Sequence, residues 1–335
     1  MLTAVVTGVE GQDGSFLTEF LLAKEYKVIG ISRRKSSSSD PRNVDHLLGH
    51  ENFKLIRGDI CDATFISRIV YKHKPHEWYN LAAMSHVGQS FQEPTKTFEV
   101  NAQAVIGQLD AIREFSPSTR FYQASTSELW GGLTCPKEGY KEGMSFHPRS
   151  PYGVSKLSAY WAVVNYREAY NLHASNGILH NHSSTRRGLD FATRKITRGV
   201  AKVKLGAEDK VKMGDLSAFR DEGHAKDYVE AMWLMLQQDS SDDYIIATGS
   251  GATIEDMFRY VCELANIEFE DTYEQDPRFM RPSEVPYLLG DYGKARKVLN
   301  WRPKYTWKEL LSEMYEFDLK ELGSVLVSRN EDISK

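Results

Sequence analysis

A chain of 335 residues with 41% hydrophobic and 26% charged content has the make-up of a folded globular protein large enough to bury a sizeable core. Its net charge of −4 offers no basic excess for nucleic acid or a membrane surface. The cysteines, Cys61, Cys135 and Cys262, are odd in number and lack CxxC spacing, which predicts reduced thiols with neither a disulfide framework nor a metal site. Met1 runs directly into LTAVVTG without a charged leader, and no apolar run reaches the roughly 20 residues of a membrane span. Cytoplasmic residence is expected.

In chain order, short β-rich runs alternate with stretches of helical period. Strands are expected at 2–8, 27–34, 53–60, 77–83, 120–126 and 175–182, and helices at 15–24, 62–73, 98–115 and 151–170. Strand and helix alternating in this way predict an α/β fold, a parallel sheet doubly wound by helices, with a smaller C-terminal lobe. The boundary is expected as 1–182 for a mainly dinucleotide-binding Rossmann domain and 183–330 for a mainly substrate-binding lobe, with some segments interleaved into the sheet. Phe16, Leu17, Phe20 and Leu21 form one apolar stripe, and Val154, Leu157, Trp161 and Val164 another; both are expected to pack on the sheet. The run KSSSSDPRN (35–43) reads as a flexible surface loop.

After the first strand, VVTGVEGQDGSF sets Gly8, Gly11 and Gly14 in a GxxGxxG turn, with Gln12 and Asp13 inside it. Such a turn lets backbone amides approach a pyrophosphate at a helix N-terminus. An NAD site wants an acid at the end of the second strand, but here ISRRKSS supplies Arg33, Arg34 and Ser36, which suit a 2′-phosphate and so predict NADP. Asp59 and Ile60 close the third strand, and Leu81, Ala82, Ala83 and Ser85 follow the fourth. Both groups either border the cofactor or simply pack.

The catalytic signal is Tyr152 and Lys156, four residues apart and therefore on one face of a helix, where an ammonium can stabilise a phenolate that abstracts an alcohol proton. In an extended strand, Thr126 and Glu128 would point to the same side. A carboxylate placed beside the hydroxyls can act as a second base.

These motifs resemble the extended short-chain dehydrogenase/reductases. The stretches TGVEGQDGSFLTEFLL (7–22), YNLAAMSHVGQSF (79–91), FYQASTSELWG (121–131), PRSPYGVSKLSAYW (148–161), HAKDYVEAMWLMLQQD (224–239) and RPSEVPYLLGD (281–291) resemble the GDP-mannose 4,6-dehydratase family within it. That resemblance implies that Thr126 positions the sugar 4-hydroxyl, Tyr152 is the oxidation base, Lys156 tunes it and holds the ribose, and Glu128 performs the elimination, giving GDP-4-keto-6-deoxymannose. It further implies substrate contacts from Ser85, Asn181, Lys195, Arg220, Arg281 and Glu284, cofactor contacts from His182 and Arg187, and assembly as a homodimer or homotetramer. The chain departs from the family pattern at Ser183, Thr185 and Glu222, and carries Glu10 in the glycine turn. Two alternatives stay open: an epimerase or dehydrogenase for nucleotide sugars on the same fold, or a catalytically silent NADP-binding sensor.

Overall fold

The computed structural model describes residues 1–33, 43–280 and 282–333, with side chains as far as 325. The predicted loop at 35–43 therefore lies almost wholly outside the described residues. So do Arg34, Ser36 and Arg281.

Six hydrophobic strands line up in parallel: β1 (Thr3–Thr7), β2 (Lys27–Ser32), β3 (Phe53–Arg57), β4 (Glu77–Asn80), β5 (Arg120–Thr126) and β6 (Ala174–Leu179). Next come β7 (Asn181–Ser183), β8 (Val211–Met213), β9 (Phe219–His224) and β10 (Tyr244–Ile246). Strand β10 returns to the main sheet and completes the seven-strand order β10-β6-β5-β4-β1-β2-β3. The order reverses between β1 and β4, and open α/β sheets bind ligands at the carboxyl ends of strands beside such a reversal.

Both faces are covered, as a parallel sheet requires. Helices Gln12–Ala23 and Ala225–Gln237 bury Phe16, Leu17, Leu21, Tyr228 and Met232 on one face. Helices Ala63–His73, Ala104–Phe115 and Pro151–Tyr170 bury Phe65, Val105, Leu109, Ala159 and Val163 on the other. A separate core joins helices Ala192–Lys204 and Ile254–Ala265 to the last helix, Trp307–Ile333. There the buried Asp318 accepts from Thr197 (2.8 Å) and is paired with Arg194. Strands β7 and β9 share a small second sheet with β11 (Gly251–Thr253) and β13 (Tyr287–Leu288), while β12 (Tyr273–Gln275) pairs with β8.

Three expectations need correction. The last predicted strand, 175–182, breaks after Leu179, and Asn181–Ser183 turns away to pair with Glu222–His224 in the second sheet. The expected apolar stripe on Pro151–Tyr170 holds only in part: Val164 is buried and Leu157 packs in the same core, but Val154 and Trp161 are 46% and 55% exposed, and the opposite face, with Tyr152, Lys156, Ala159 and Val163, is the fully buried one. Polar Ser155 and Lys156 lie buried on that face and blur the periodicity. Finally, the helix expected at 98–115 opens with a π-turn at Glu99–Gln103, a widened turn common at functional sites.

Candidate active site

The glycine turn has room for nothing larger than glycine at two positions. Gly8 has φ +67°, and a Cβ there would stand 2.9 Å from the Ala82 backbone; at Gly14 it would stand 2.4 Å from the Gly8 carbonyl oxygen. Helix Gln12–Ala23 begins at Gly11 with no side-chain cap, so its first amides face a concave, side-chain-free cradle. A dinucleotide pyrophosphate fits there without displacing a side chain. Leu81 and Ala82 donate their amides to the Thr7 hydroxyl (both 3.1 Å), which holds the segment after β4 against the cradle. Thr7, Asn80 and Gln123 continue as a buried chain of hydrogen bonds across the strand ends.

Gln12 and Asp13 turn away from the cradle to lock it. Gln12 donates to the His182 carbonyl (3.2 Å) and accepts from the Ser184 hydroxyl (2.9 Å), while His182 Nε2 lies 2.9 Å from Asp13 Oδ2. Burial pushes the Asp13 carboxyl up, yet the charge and hydrogen bond of His182 outweigh it, and the net shift is downward. The other face of His182 stacks on Tyr228, with ring centres 4.3 Å apart.

At the end of β2, the Arg33 carbonyl accepts from Arg57 (3.2 Å). Arg57 also grips Glu10 through two nitrogens (2.6 and 2.9 Å), and Ser32 hydrogen-bonds the same carboxylate. Glu10 is thus neutralised on the spot, which removes the repulsion that its sequence position implied. Sequence reasoning missed Arg57, because only the β2–β3 register brings it opposite Ser32. Asp59 accepts from the Cys61 amide (3.0 Å), and Ile60 is turned into the core with Val5 and Ile31.

The residues expected to react meet at the carboxyl end of β5. That strand stops at Thr126, and Ser127–Trp130 is a tight 3-10 turn capped by the Thr126 hydroxyl, which accepts from the Glu128 amide (3.2 Å). Thr126 and Glu128 are therefore neighbours through a turn, rather than by strand alternation as the sequence suggested. Hydroxyl capping competes with continued strand, and here the cap wins.

Helix Pro151–Tyr170 starts on Ser150, whose hydroxyl accepts from the Gly153 amide, with Pro151 in the first turn. It brings the Tyr152 phenol within the influence of the Thr126 hydroxyl and of the Glu128 charge. Burial pushes the phenol up to about 12; the Thr126 hydrogen bond lowers it and the Glu128 charge raises it. Lys156 Nζ donates to the Ala124 carbonyl (2.8 Å) and lies 5.9 Å from the Tyr152 ring centre, with burial pulling its ammonium down to about 8. Asn101, inside the π-turn, clamps Met84 through its backbone amide (2.8 Å) and carbonyl (3.0 Å) and reaches Ser155 (3.2 Å). It thereby fixes Ala83 and Ser85 relative to the catalytic helix. No sequence pattern marks a π-turn, so Asn101 went unread.

A cleft of about 620 Å³ opens along the short Val87–Ser90 helix, whose Ser90 hydroxyl accepts from the Tyr152 amide; Thr126, Glu128, Tyr152 and Lys156 themselves do not line it. Its walls include Asn181, Arg187, Lys195, Arg220 and Glu284 from the predicted set, together with Glu222, which the sequence singled out only as a departure. Arg220 and Glu284 pair with each other (2.9 Å), and Arg220 also donates to the Val285 carbonyl (2.8 Å). Lys195 Nζ stands 3.7 Å above the centre of the Phe279 ring. Arg187 stacks on Phe191 at 3.9 Å, and its Nε is buried without a hydrogen-bond partner. Among the described residues, no cluster of His, Cys, Asp and Glu could hold a metal ion, and no helix is long and apolar enough to cross a membrane.

A dinucleotide cradle, a Thr–Tyr–Lys group and a cleft rich in fixed cations define a short-chain dehydrogenase/reductase fold built for nucleotide sugars. Solved structures agree on the fold. A UDP-glucose 4-epimerase of Thermotoga maritima superposes with TM-score 0.84 at 25% identity (96% of this chain, 100% of that one), and a dTDP-glucose 4,6-dehydratase of Bacillus anthracis with 0.83 at 22% (96% and 97%). The model of the GDP-mannose 4,6-dehydratase family matches residues 5–314, and the chain belongs to that family. It is 46% identical to the GDP-mannose 4,6 dehydratase of Cricetulus griseus (95% of this chain, 91% of that one) and 45% identical to that of Vibrio cholerae (95% and 94%).

Proposed function

We propose that this chain converts GDP-mannose to GDP-4-keto-6-deoxymannose with bound NADP, and that four residues divide the work. NADP supplies the reversible acceptance of a hydride from C4 and its return at C6. Tyr152 takes the 4-hydroxyl proton, Thr126 holds that oxygen, and Lys156 supplies the positive charge that a buried phenol needs if it is to ionise. Glu128 removes the C5 proton once C4 is a ketone and the C6 hydroxyl leaves; of the two protons taken up by Tyr152 and Glu128, one departs with that hydroxyl as water and one is returned to C5 as the hydride adds to C6. Lys195 and Arg220, with Asn181, take the diphosphate, Arg187 and His182 border the cofactor, and the segment 183–330 supplies most of the substrate lobe.

The observation that carries this reading is Glu128 buried in the capped turn directly after Thr126, with its charge felt at the Tyr152 phenol, since plain oxidation or epimerisation at C4 has no need of a second base. Incubation with GDP-mannose and catalytic NADP is expected to give a product lighter by one water. A product of unchanged mass would mark an epimerase, stoichiometric cofactor reduction a dehydrogenase, and no conversion a sensor.

The exposed apolar residues Phe98, Ile106, Val154 and Trp161 lie on helices that pack together, and they suit a second copy of the chain in a homodimer or homotetramer. Trp161→Glu is expected to reduce the mass measured by light scattering by half or more; an unchanged mass would discard that face. A cytoplasmic enzyme fits the reduced cysteines and the demand for NADP.

A further inference from the structure

Two acids stand next to each other on β9 with opposite fates. Asp221 points into the interior and is saturated: the amides of Thr248 (2.8 Å), Gly249 (2.9 Å) and Gly290 (3.3 Å) all donate to it. Glu222 points the other way, with Arg220, into the cleft wall. It is only 2% exposed, and its Oε1 has no hydrogen-bond partner. The Ser183 hydroxyl and the charges of Arg187, His182 and Arg220 moderate its cost, but burial dominates and raises its pKa. A buried carboxylate oxygen with nothing donating to it is expensive, and such groups are rare unless a ligand completes them.

The completing group can be narrowed by charge and place. A diphosphate would be repelled, so the ligand must present a hydrogen-bond donor. Strand register sets Glu222 opposite Asn181, and the next residue, His182, is hydrogen-bonded to Asp13 of the glycine turn. Glu222 therefore sits toward the cofactor end of the cleft, where the hexose lies under the function proposed above. Of the hexose hydroxyls, the one on C4 is oxidised and the one on C6 leaves. Those on C2 and C3 survive the reaction and are free to be held throughout.

We propose that Glu222 is a specificity-determining substrate contact whose Oε1 accepts a hydrogen bond from the C2 or C3 hydroxyl of the hexose. This inference rests on the proposed dehydratase activity.

The test compares GDP-mannose with its 2-deoxy and 3-deoxy analogues in the wild type, Glu222→Gln and Glu222→Ala. Wild-type kcat/KM is expected to fall about 10- to 100-fold on one of the two analogues, as for a lost hydrogen bond to a charged group. Glu222→Ala should show that same fall on GDP-mannose and no further fall on the sensitive analogue, and Glu222→Gln should be intermediate. Thermal unfolding of the substrate-free variants should be unchanged or raised. Equal losses on all three substrates, no loss on any, or a drop in melting temperature with uniform loss would overturn the assignment and leave Glu222 a structural residue. A wild type that does not dehydrate GDP-mannose would refute the proposed function itself, which is a different result.

Discussion

Glu128→Gln is expected to lower kcat for dehydration by about 10²- to 10⁴-fold while leaving KM for GDP-mannose within a few-fold, the range for loss of a positioned general base. Gln is isosteric, and the turn it occupies is held by the Thr126 hydroxyl and the Glu128 backbone amide, so the geometry should survive. The Thr126–Tyr152 pair is untouched, and oxidation at C4 should therefore persist, seen as enzyme-bound reduced cofactor and as deuterium at C4 of the sugar nucleotide after borodeuteride trapping. What should vanish is incorporation of solvent deuterium at C5. Continued exchange at C5 in the variant would show that another group removes that proton.

Lys156→Met is expected to abolish turnover and yet stabilise the cofactor-free protein below pH 8. Burial holds the ammonium near 8, well below the roughly 10.4 of an unfolded chain, so folding penalises the charged form. Below pH 8 both states carry the proton and the penalty is complete, about 3 kcal/mol from the size of the shift. Between about pH 8 and pH 10.4 the folded protein gives up its proton while the unfolded chain keeps it, and wild-type stability climbs relative to the variant. Denaturant unfolding at intervals from pH 6 to pH 10.5 checks this. A variant less stable than wild type at pH 7, or a gap that does not narrow, would mean that the Ala124 hydrogen bond outweighs desolvation.

Features encoded by spacing within one element were legible in the sequence. The glycine turn follows from a strand, three glycines and a helix. The catalytic pair follows from an i, i+4 interval, and its helix is bounded by Pro151 at the start and Asn171, in left-handed conformation at φ 56°, at the end. Features decided by distant partners were not. Arg57 answers Glu10 only through strand register, Asn101 acts through a π-turn, and Glu128 reaches Tyr152 through a capped turn that alternation could not foresee. Trp161 and Val154 form a convincing apolar stripe, but the helix turns its polar, functional face inward. Strand β10 is three residues long and enters the main sheet from far along the chain, too short to announce itself by pattern.

The clasp of Gln12 and Asp13 on His182 and Ser184 spans about 170 residues of sequence and joins the nucleotide cradle to the strand that forms one wall of the sugar cleft. Neither compartment can loosen without disturbing the other. A reaction that lends a hydride and reclaims it from the same sugar fails if either party escapes midway. Mechanical linkage of the two chambers makes premature departure of one a disruption of both, which favours a carrier that stays seated from one substrate molecule to the next.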